Sequence, residues 1–125
     1  MKNLANCDPV EFVSQGYRVI DAAKELLTVS KVFEIRNRKP VFNEEDTPEE
    51  RREKAVVQAK KNISKMLAAL MRDNPQKTAE VLGLMCFIEP SDLKNHKGME
   101  FLGAATEMLK SREVIDFLFL LISEI

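Results

Sequence analysis

The sequence predicts an all-α protein: a single compact bundle of about five helices that forms one domain over residues 1–125. Three observations predict this class. Apolar residues recur at helical spacing along most of the chain, helix-start signals precede several of these stretches, and no hairpin pattern or internal repeat is found. The 45% hydrophobic and 31% charged content fits a chain with one core.

The first helix is predicted to begin at the motif Asp8-Pro9-Val10-Glu11. Asp8 can cap the helix, Pro9 suits its first position, and Glu11 can close a capping box. Apolar residues then recur at helical spacing, at Phe12, Val13, Tyr17, Ile20, Ala23, Leu26 and Leu27. The next segment, Val29 to Arg38, mixes β-branched and charged residues and is compatible with a short helix or a strand. After Pro40, the acidic residues up to Asp46 predict a loop.

The longest helix is predicted from Thr47-Pro48 to about Asp73, again with a cap, a proline and Glu50 reaching back. Its apolar stripe contains Val56, Ala59, Ile63, Met66, Leu67 and Leu70.

Three further helices complete the prediction. Asn74-Pro75 begins one that Pro90 ends, and a polar turn follows as far as Gly98. Leu102, Ala105, Met108 and Leu109 mark the fourth helix, and Ser111 can cap a fifth that runs to the terminus.

Charge and hydropathy argue against two classes of partner. A formal net charge of −1 does not favour nucleic-acid binding, because neutralising phosphates requires a surplus of Lys and Arg on one face. The most apolar stretch, Val114 to Ile125, is 12 residues long and carries two acidic residues, so it is too short and too charged to span a membrane. Without a secretory signal, we expect both cysteines to be reduced, in a cytoplasm.

The segment LMCFIEPSDLKNH contains Cys86 and the single histidine, His96. Its apolar neighbours predict that Cys86 is a buried, neutral thiol, and His96 is expected in a turn or at a helix start. Metal-ligand spacing and glycine-rich phosphate loops are absent from the sequence, so we predict no metal, no cofactor and no enzymatic activity.

The apolar C-terminal helix leaves two interpretations open. Either it is buried centrally in the core, or part of its surface binds another protein together with some of the six methionines. Wheel position alone selects Phe119, Leu120, Met99 and Phe101 as candidate partner-binding residues.

A resemblance to a known family rests on three segments, KNLANCDPVEF, LGLMCFIEPSDLKNH and EVIDFLFLL, and extends over AKKNISKMLAALMRDNPQKTAEVLGLMCF. They resemble the tail assembly chaperones encoded by phages and prophages of Gram-positive bacteria. The resemblance implies a small helical protein that binds the tape-measure protein and helps recruit tail-tube subunits in the host cytoplasm. The alternative is a structural virion component, such as a head–tail connector or tail-completion protein. Whether the chain forms a homo-oligomer is left open.

Overall fold

The computed structural model describes residues 2–123, apart from the side chains of residues 121 and 122. Within this part of the chain the structure is all-α, without a strand, and five of its helices have seven or more residues. This confirms the predicted class. The elements are α1 (Pro9–Ser30), α2 (Val32–Arg36), α3 (Pro48–Leu67) with a π-helical turn (Ala68–Arg72), α4 (Pro75–Met85), a 3-10 helix (Pro90–Asn95), α5 (Gly98–Leu109) and α6 (Arg112–Ser123).

The chain forms two compact units. Unit 1 contains the residues up to Leu26 and those from Gln76 on, and unit 2 contains Leu27–Pro75. The prediction of one domain over residues 1–125 stays a prediction, and each unit is described here by itself.

In unit 1, α1 begins with the predicted capping box. The Glu11 N–H donates to Asp8 Oδ1 over 2.8 Å, and the Asp8 N–H donates to Glu11 Oε1 over 3.4 Å. These two bonds satisfy backbone donors that have no partner inside the helix. The start of α1 is therefore fixed by local sequence.

The apolar residues that recur at helical spacing in α1 do not all face the core. Val13 and Tyr17 are exposed, and the polar side chain of Gln15 is buried in their place. Gln15 Nε2 donates to the Leu84 carbonyl oxygen of α4 over 2.6 Å, so its burial leaves no amide nitrogen unpaired. Further along α1, Ala23 and Leu26 of the same set are buried.

Helix α4 ends at Met85, before the proline that was expected to end it. Phe87 adopts the left-handed conformation, with φ 58°. The Ile88 N–H donates to the Gly83 carbonyl over 2.8 Å and the Phe87 N–H to the Leu84 carbonyl over 3.2 Å. This pair of bonds is a Schellman motif, and it satisfies two carbonyls at the helix end. Pro90 instead begins the 3-10 helix.

The side chain of Asn74, just before α4, makes a hydrogen bond back to the preceding turn. Asn74 Nδ2 donates to the Ala69 carbonyl oxygen over 2.8 Å, so it closes the preceding π-helical turn. That turn also contains the bond from the Asp73 N–H to the Ala68 carbonyl, over 3.0 Å. The longest predicted helix is therefore confirmed as far as Leu67 and continues with π-helical geometry to Arg72.

In unit 2, the segment that was compatible with a helix or a strand is helical. Lys31 is left-handed, with φ 57°, and separates the end of α1 from α2. The buried side chain of Asn62 holds the chain after α2, because its Nδ2 donates to the Arg38 carbonyl over 2.9 Å. Gln58 Nε2 in turn donates to Asn62 Oδ1 over 2.9 Å, so both the oxygen and the nitrogen of the buried amide are hydrogen-bonded.

Thr47 caps α3 as predicted, and it accepts a bond from the Glu50 N–H over 3.1 Å. The loop before it is held by Asp46, which accepts from Lys54 Nζ over 2.6 Å and from the Asn43 N–H over 2.7 Å. These bonds hold the pKa of Asp46 below its usual range, and the bond from Lys54 has the largest effect.

The buried face of α3 differs from the predicted stripe. Val56, Ile63 and Leu67 are exposed. The core of unit 2 contains instead Val32, Ile35 and Ala69, against which Leu27, Met66 and Leu70 are partly buried. Only the C-terminal part of the predicted stripe therefore lies at this core.

Replacing Gly16 by alanine is expected to stabilise the protein by about 0.5–1 kcal/mol, because glycine inside a helix costs backbone entropy. A Cβ at Gly16 would meet no heavy atom within 4 Å. The matched control is Gly83→Ala, whose Cβ would lie 2.9 Å from Leu93 Cδ2 and 3.4 Å from the Ile88 carbonyl oxygen. Urea denaturation should show a gain for the first variant only. A loss of stability in Gly16→Ala would contradict the prediction.

Candidate interaction surface

The candidate surface lies in unit 1, on helices α5 and α6. Both helices bury one narrow face: Ala104, Ala105 and Met108 on α5, and Val114 and Leu118 on α6. The two helices are joined by Lys110 and Ser111, and the Val114 N–H lies 3.5 Å from Ser111 Oγ, the predicted cap. Because the buried faces are narrow, apolar residues elsewhere on the two helices are left in contact with solvent.

Three of the four candidate partner-binding residues are exposed. Phe119 and Leu120 on α6 have exposed fractions of 55% and 63%, and Met99 in the first turn of α5 is also exposed. Phe101 is half-buried. Whether any of the four contacts a partner stays a prediction.

The described side chains of α6 divide between its two faces. Val114 and Leu118 are buried, whereas Phe117, Phe119 and Leu120 are exposed to solvent to different degrees. The interpretation of α6 as a helix buried centrally in the core therefore does not hold for Phe117, Phe119 and Leu120. Glu124, the second of the two acidic residues in this apolar stretch, lies outside the described residues.

The recorded aromatic contact of α6 joins it to α1 and does not involve the candidate residues. The rings of Phe117 and Phe12 are 5.0 Å apart at an angle of 55°. This separation and tilt are in the range that aromatic pairs prefer. The contact places the N-terminal half of α1 next to α6 within unit 1.

Sequence reasoning missed an exposed apolar stripe on α1. Val10, Val13 and Tyr17 are exposed and lie at positions i, i+3 and i+7, on one face of the helix. At 100° per residue, the buried Val19 lies about 180° from Val10. Because α1 is apolar on two faces, hydropathy could not show which of them is buried. The polar Gln15 was not a usable signal, since its buried partner lies 69 residues away.

Cys86 and His96 do not resemble a nucleophile and its base. The Cys86 thiol is buried, and desolvation, followed by the nearby charge of Glu107, raises its pKa. A raised pKa keeps the sulfur protonated and weakly nucleophilic. His96 lies in the turn before α5, as predicted, with its ring nitrogens 3.5 Å from Asp92 and 3.6 Å from Glu100. These contacts link the 3-10 helix to the first turn of α5.

A further pair of titratable groups in unit 1 forms an ion pair between α1 and the segment after α4. Arg18 of α1 donates two bonds of 2.6 Å to the carboxylate of Glu89, which lowers the pKa of that group. Both partners are about half exposed, so the pair contributes little to stability.

In the described part of the chain, no group of three or more His, Cys, Asp or Glu residues is placed to hold a metal ion. Both cysteines are free.

The exposed apolar side chains of α5 and α6 are suited to binding another protein. Cys86 and His96, described above, do not form a nucleophile–base pair. Exposed aromatic and aliphatic side chains on helices can contact the apolar face of another helix. None of the helices among the described residues is long and apolar enough to cross a membrane. In comparisons with known proteins, no family model, no curated protein and no solved structure matches this chain.

Proposed function

We propose that this protein is a non-enzymatic tail assembly chaperone of a phage or prophage, which binds the tape-measure protein in the cytoplasm of the bacterial host. In this role it helps recruit tail-tube subunits to the growing tail. The observation that carries the proposal is the resemblance of the segments around Cys7, Cys86 and Val114, together with the stretch from Ala59 to Phe87.

The surface of unit 1 supports a binding role on physical grounds. The resemblance implies a long, helix-rich and hydrophobic client. Such a client needs apolar surface to contact, and Phe119 and Leu120 provide it beside the polar residues Arg112 and Asp116. An apolar centre with a charged rim is the usual composition of a protein-binding surface.

Co-expression with the tape-measure protein encoded in the same gene cluster tests the proposal. We expect the tape-measure protein to be soluble and to co-purify with this chain, and to aggregate when it is expressed alone. A matched control replaces this chain by an unrelated helical protein of similar size. If the tape-measure protein is equally soluble in both cases and never co-purifies, the proposal is wrong.

Mass spectrometry of purified phage particles separates a chaperone from the alternative, a structural virion component. A chaperone acts before the tail is complete and should be absent from finished particles. A head–tail connector or tail-completion protein should be present at a fixed number of copies. Finding this chain in particles would therefore favour the alternative.

A further inference from the structure

The basic residues of the chain are concentrated in unit 2. Residues 27–75 contain 11 Lys and Arg against 8 Asp and Glu, a formal charge of +3, whereas the rest of the chain contains 8 against 12, a formal charge of −4. The net charge of −1 for the whole chain therefore does not reveal the positive surplus in unit 2. Electrostatic attraction acts over about 10 Å at 0.1 M salt, so the local surplus decides what an exposed surface can bind.

Five of these basic residues are grouped around the buried side chain of Asn62. Asn62 Nδ2 donates to the carbonyl oxygen of Arg38 over 2.9 Å and to that of Arg36 over 3.4 Å, so the chain after α2 lies against α3. On α3, Lys61 and Lys65 lie on one flank, about 100° and 60° around the helix from Asn62. We give the name Asn62 patch to the following five residues: Arg36, Arg38, Lys39, Lys61 and Lys65.

The segment after α2 continues along the same flank of α3. Pro40 lines the same surface depression as Lys61. Because Arg38 is bonded to Asn62, the intervening Lys39 lies close to the lysines of α3. All five side chains of the patch are exposed to solvent.

The acidic residues of unit 2 do not neutralise the patch. Six of the eight lie in the loop before α3 or in its first two turns: Glu44, Glu45, Asp46, Glu49, Glu50 and Glu53. The last of them is eight residues before Lys61, or about 12 Å along the helix axis. Glu34 lies about 160° around α2 from Arg36, and Asp73 pairs with Arg72. None of the five patch side chains has an ion-pair partner among the described residues.

The composition of the patch favours a nucleic-acid backbone over a protein as its ligand. Asn37 and Ser64, next to patch residues in the chain, are polar and exposed as well. Protein-binding surfaces have an apolar centre and are depleted in Lys, whereas the phosphates of nucleic acids are bound mainly by Lys and Arg. The patch contains no aromatic side chain, and single strands are typically held by stacking of their bases on aromatic rings. A duplex is therefore the better fit.

We infer that the Asn62 patch binds the phosphate backbone of double-stranded nucleic acid without reading its sequence. The five basic side chains contact about five phosphates, and no contact to a base is required. Bound phosphates also reduce the repulsion between Lys61 and Lys65, which lie at positions i and i+4 of α3. The inference concerns unit 2 alone and does not depend on the proposed function in tail assembly.

Fluorescence anisotropy with a labelled DNA duplex and the full chain tests the inference. At about 50 mM salt we expect a dissociation constant of about 1–100 µM, the range of sequence-independent binding, for two duplexes of unrelated sequence alike. The logarithm of the binding constant should fall with the logarithm of the salt concentration, with a slope of about −4.5 for five phosphate contacts.

Double variants locate the site. Lys61→Glu combined with Lys65→Glu should weaken duplex binding by about tenfold or more, because it reverses two of the five charges. The matched control is Lys94→Glu combined with Lys97→Glu, which makes the same change of net charge at two exposed lysines of unit 1. It should change the affinity by less than about twofold. Circular dichroism checks that each variant is folded.

A milder pair of substitutions reads the number of phosphate contacts directly. Lys61→Gln combined with Lys65→Gln removes two charges without adding any. The salt slope should then become shallower by about two, since each lysine that contacts a phosphate contributes about one. An unchanged slope would contradict the assignment of these two lysines to phosphate contacts.

Other results would also overturn the inference. Equal losses of affinity in the two charge-reversed variants would show that net charge alone drives binding. Affinities that differ by more than about tenfold between unrelated duplexes would show sequence readout, against the inference. The last two arms replace the duplex by single-stranded DNA or by polyglutamate of matched charge. If either binds more tightly than the duplex, or if the duplex does not bind at about 50 mM salt, the assigned ligand is wrong.

Discussion

Replacing both Phe119 and Leu120 by aspartate is expected to abolish co-purification of the tape-measure protein. Both side chains are more than half exposed on α6, so the change removes apolar contact area and adds two charges to the proposed interface. Losing a central apolar anchor costs about 2 kcal/mol or more, which is more than tenfold in affinity. The measurement is co-purification from cells that express both proteins, followed by titration of the purified pair.

The control for this double variant is Val41→Asp, which changes an exposed valine of unit 2 to the same residue type. We expect it to co-purify like the unchanged chain. Thermal unfolding of the double variant should remain cooperative, because the buried residues Val114 and Leu118 on the opposite side of α6 are unchanged. If the folded double variant still co-purifies with the tape-measure protein, the assignment of the surface to α6 is wrong and the proposed function is unaffected.

Replacing Met108 by alanine should have the largest effect on stability. Met108 has an exposed fraction of 0%, and truncating a buried methionine leaves a cavity that costs about 2–5 kcal/mol. The matched control is Met99→Ala on the same helix, where the exposed fraction is 80% and the expected change is within about 0.5 kcal/mol. Urea denaturation followed by circular dichroism gives both values.

These two methionines also separate stability from binding. If Met99 belongs to the partner-binding surface, Met99→Ala should weaken binding of the tape-measure protein without changing the urea midpoint. Met108→Ala should lower the midpoint. Similar losses of stability in the two variants would contradict the orientation of α5 described above.

Local sequence was sufficient to predict where helices begin. Asp8 and Glu11 form the predicted capping box, and Thr47 and Ser111 lie at the predicted caps of α3 and α6. Each of these interactions joins residues three positions apart, so it depends on no other part of the chain. Asn74, before α4, makes an additional bond across the π-helical turn, from its amide nitrogen to the carbonyl oxygen of Ala69.

Helix ends and the buried segment around Cys86 needed more than local signals. Pro90 was expected to end α4, but the helix ends at Met85 with the left-handed Phe87. A phenylalanine in this conformation costs about 1–2 kcal/mol relative to glycine. Such a residue is not predicted from sequence, because the two bonds of the Schellman motif and the burial of Ile88 compensate for the cost only in the folded chain.

The sequence by itself determined the all-α class, the helix starts and the burial of Cys86, because periodicity, capping and local hydropathy act over a few residues. Only the tertiary structure decided which apolar face of a helix is covered. Tyr17 on α1 and Ile63 on α3 fit a core-facing stripe equally well by spacing, yet both are exposed. Their burial depends on whether another element packs against that side. On α1 the packed side is the side of Gln15, which bonds to the Leu84 carbonyl. On α3 the packed side is the side of Ala69, which packs with Val32 and Ile35.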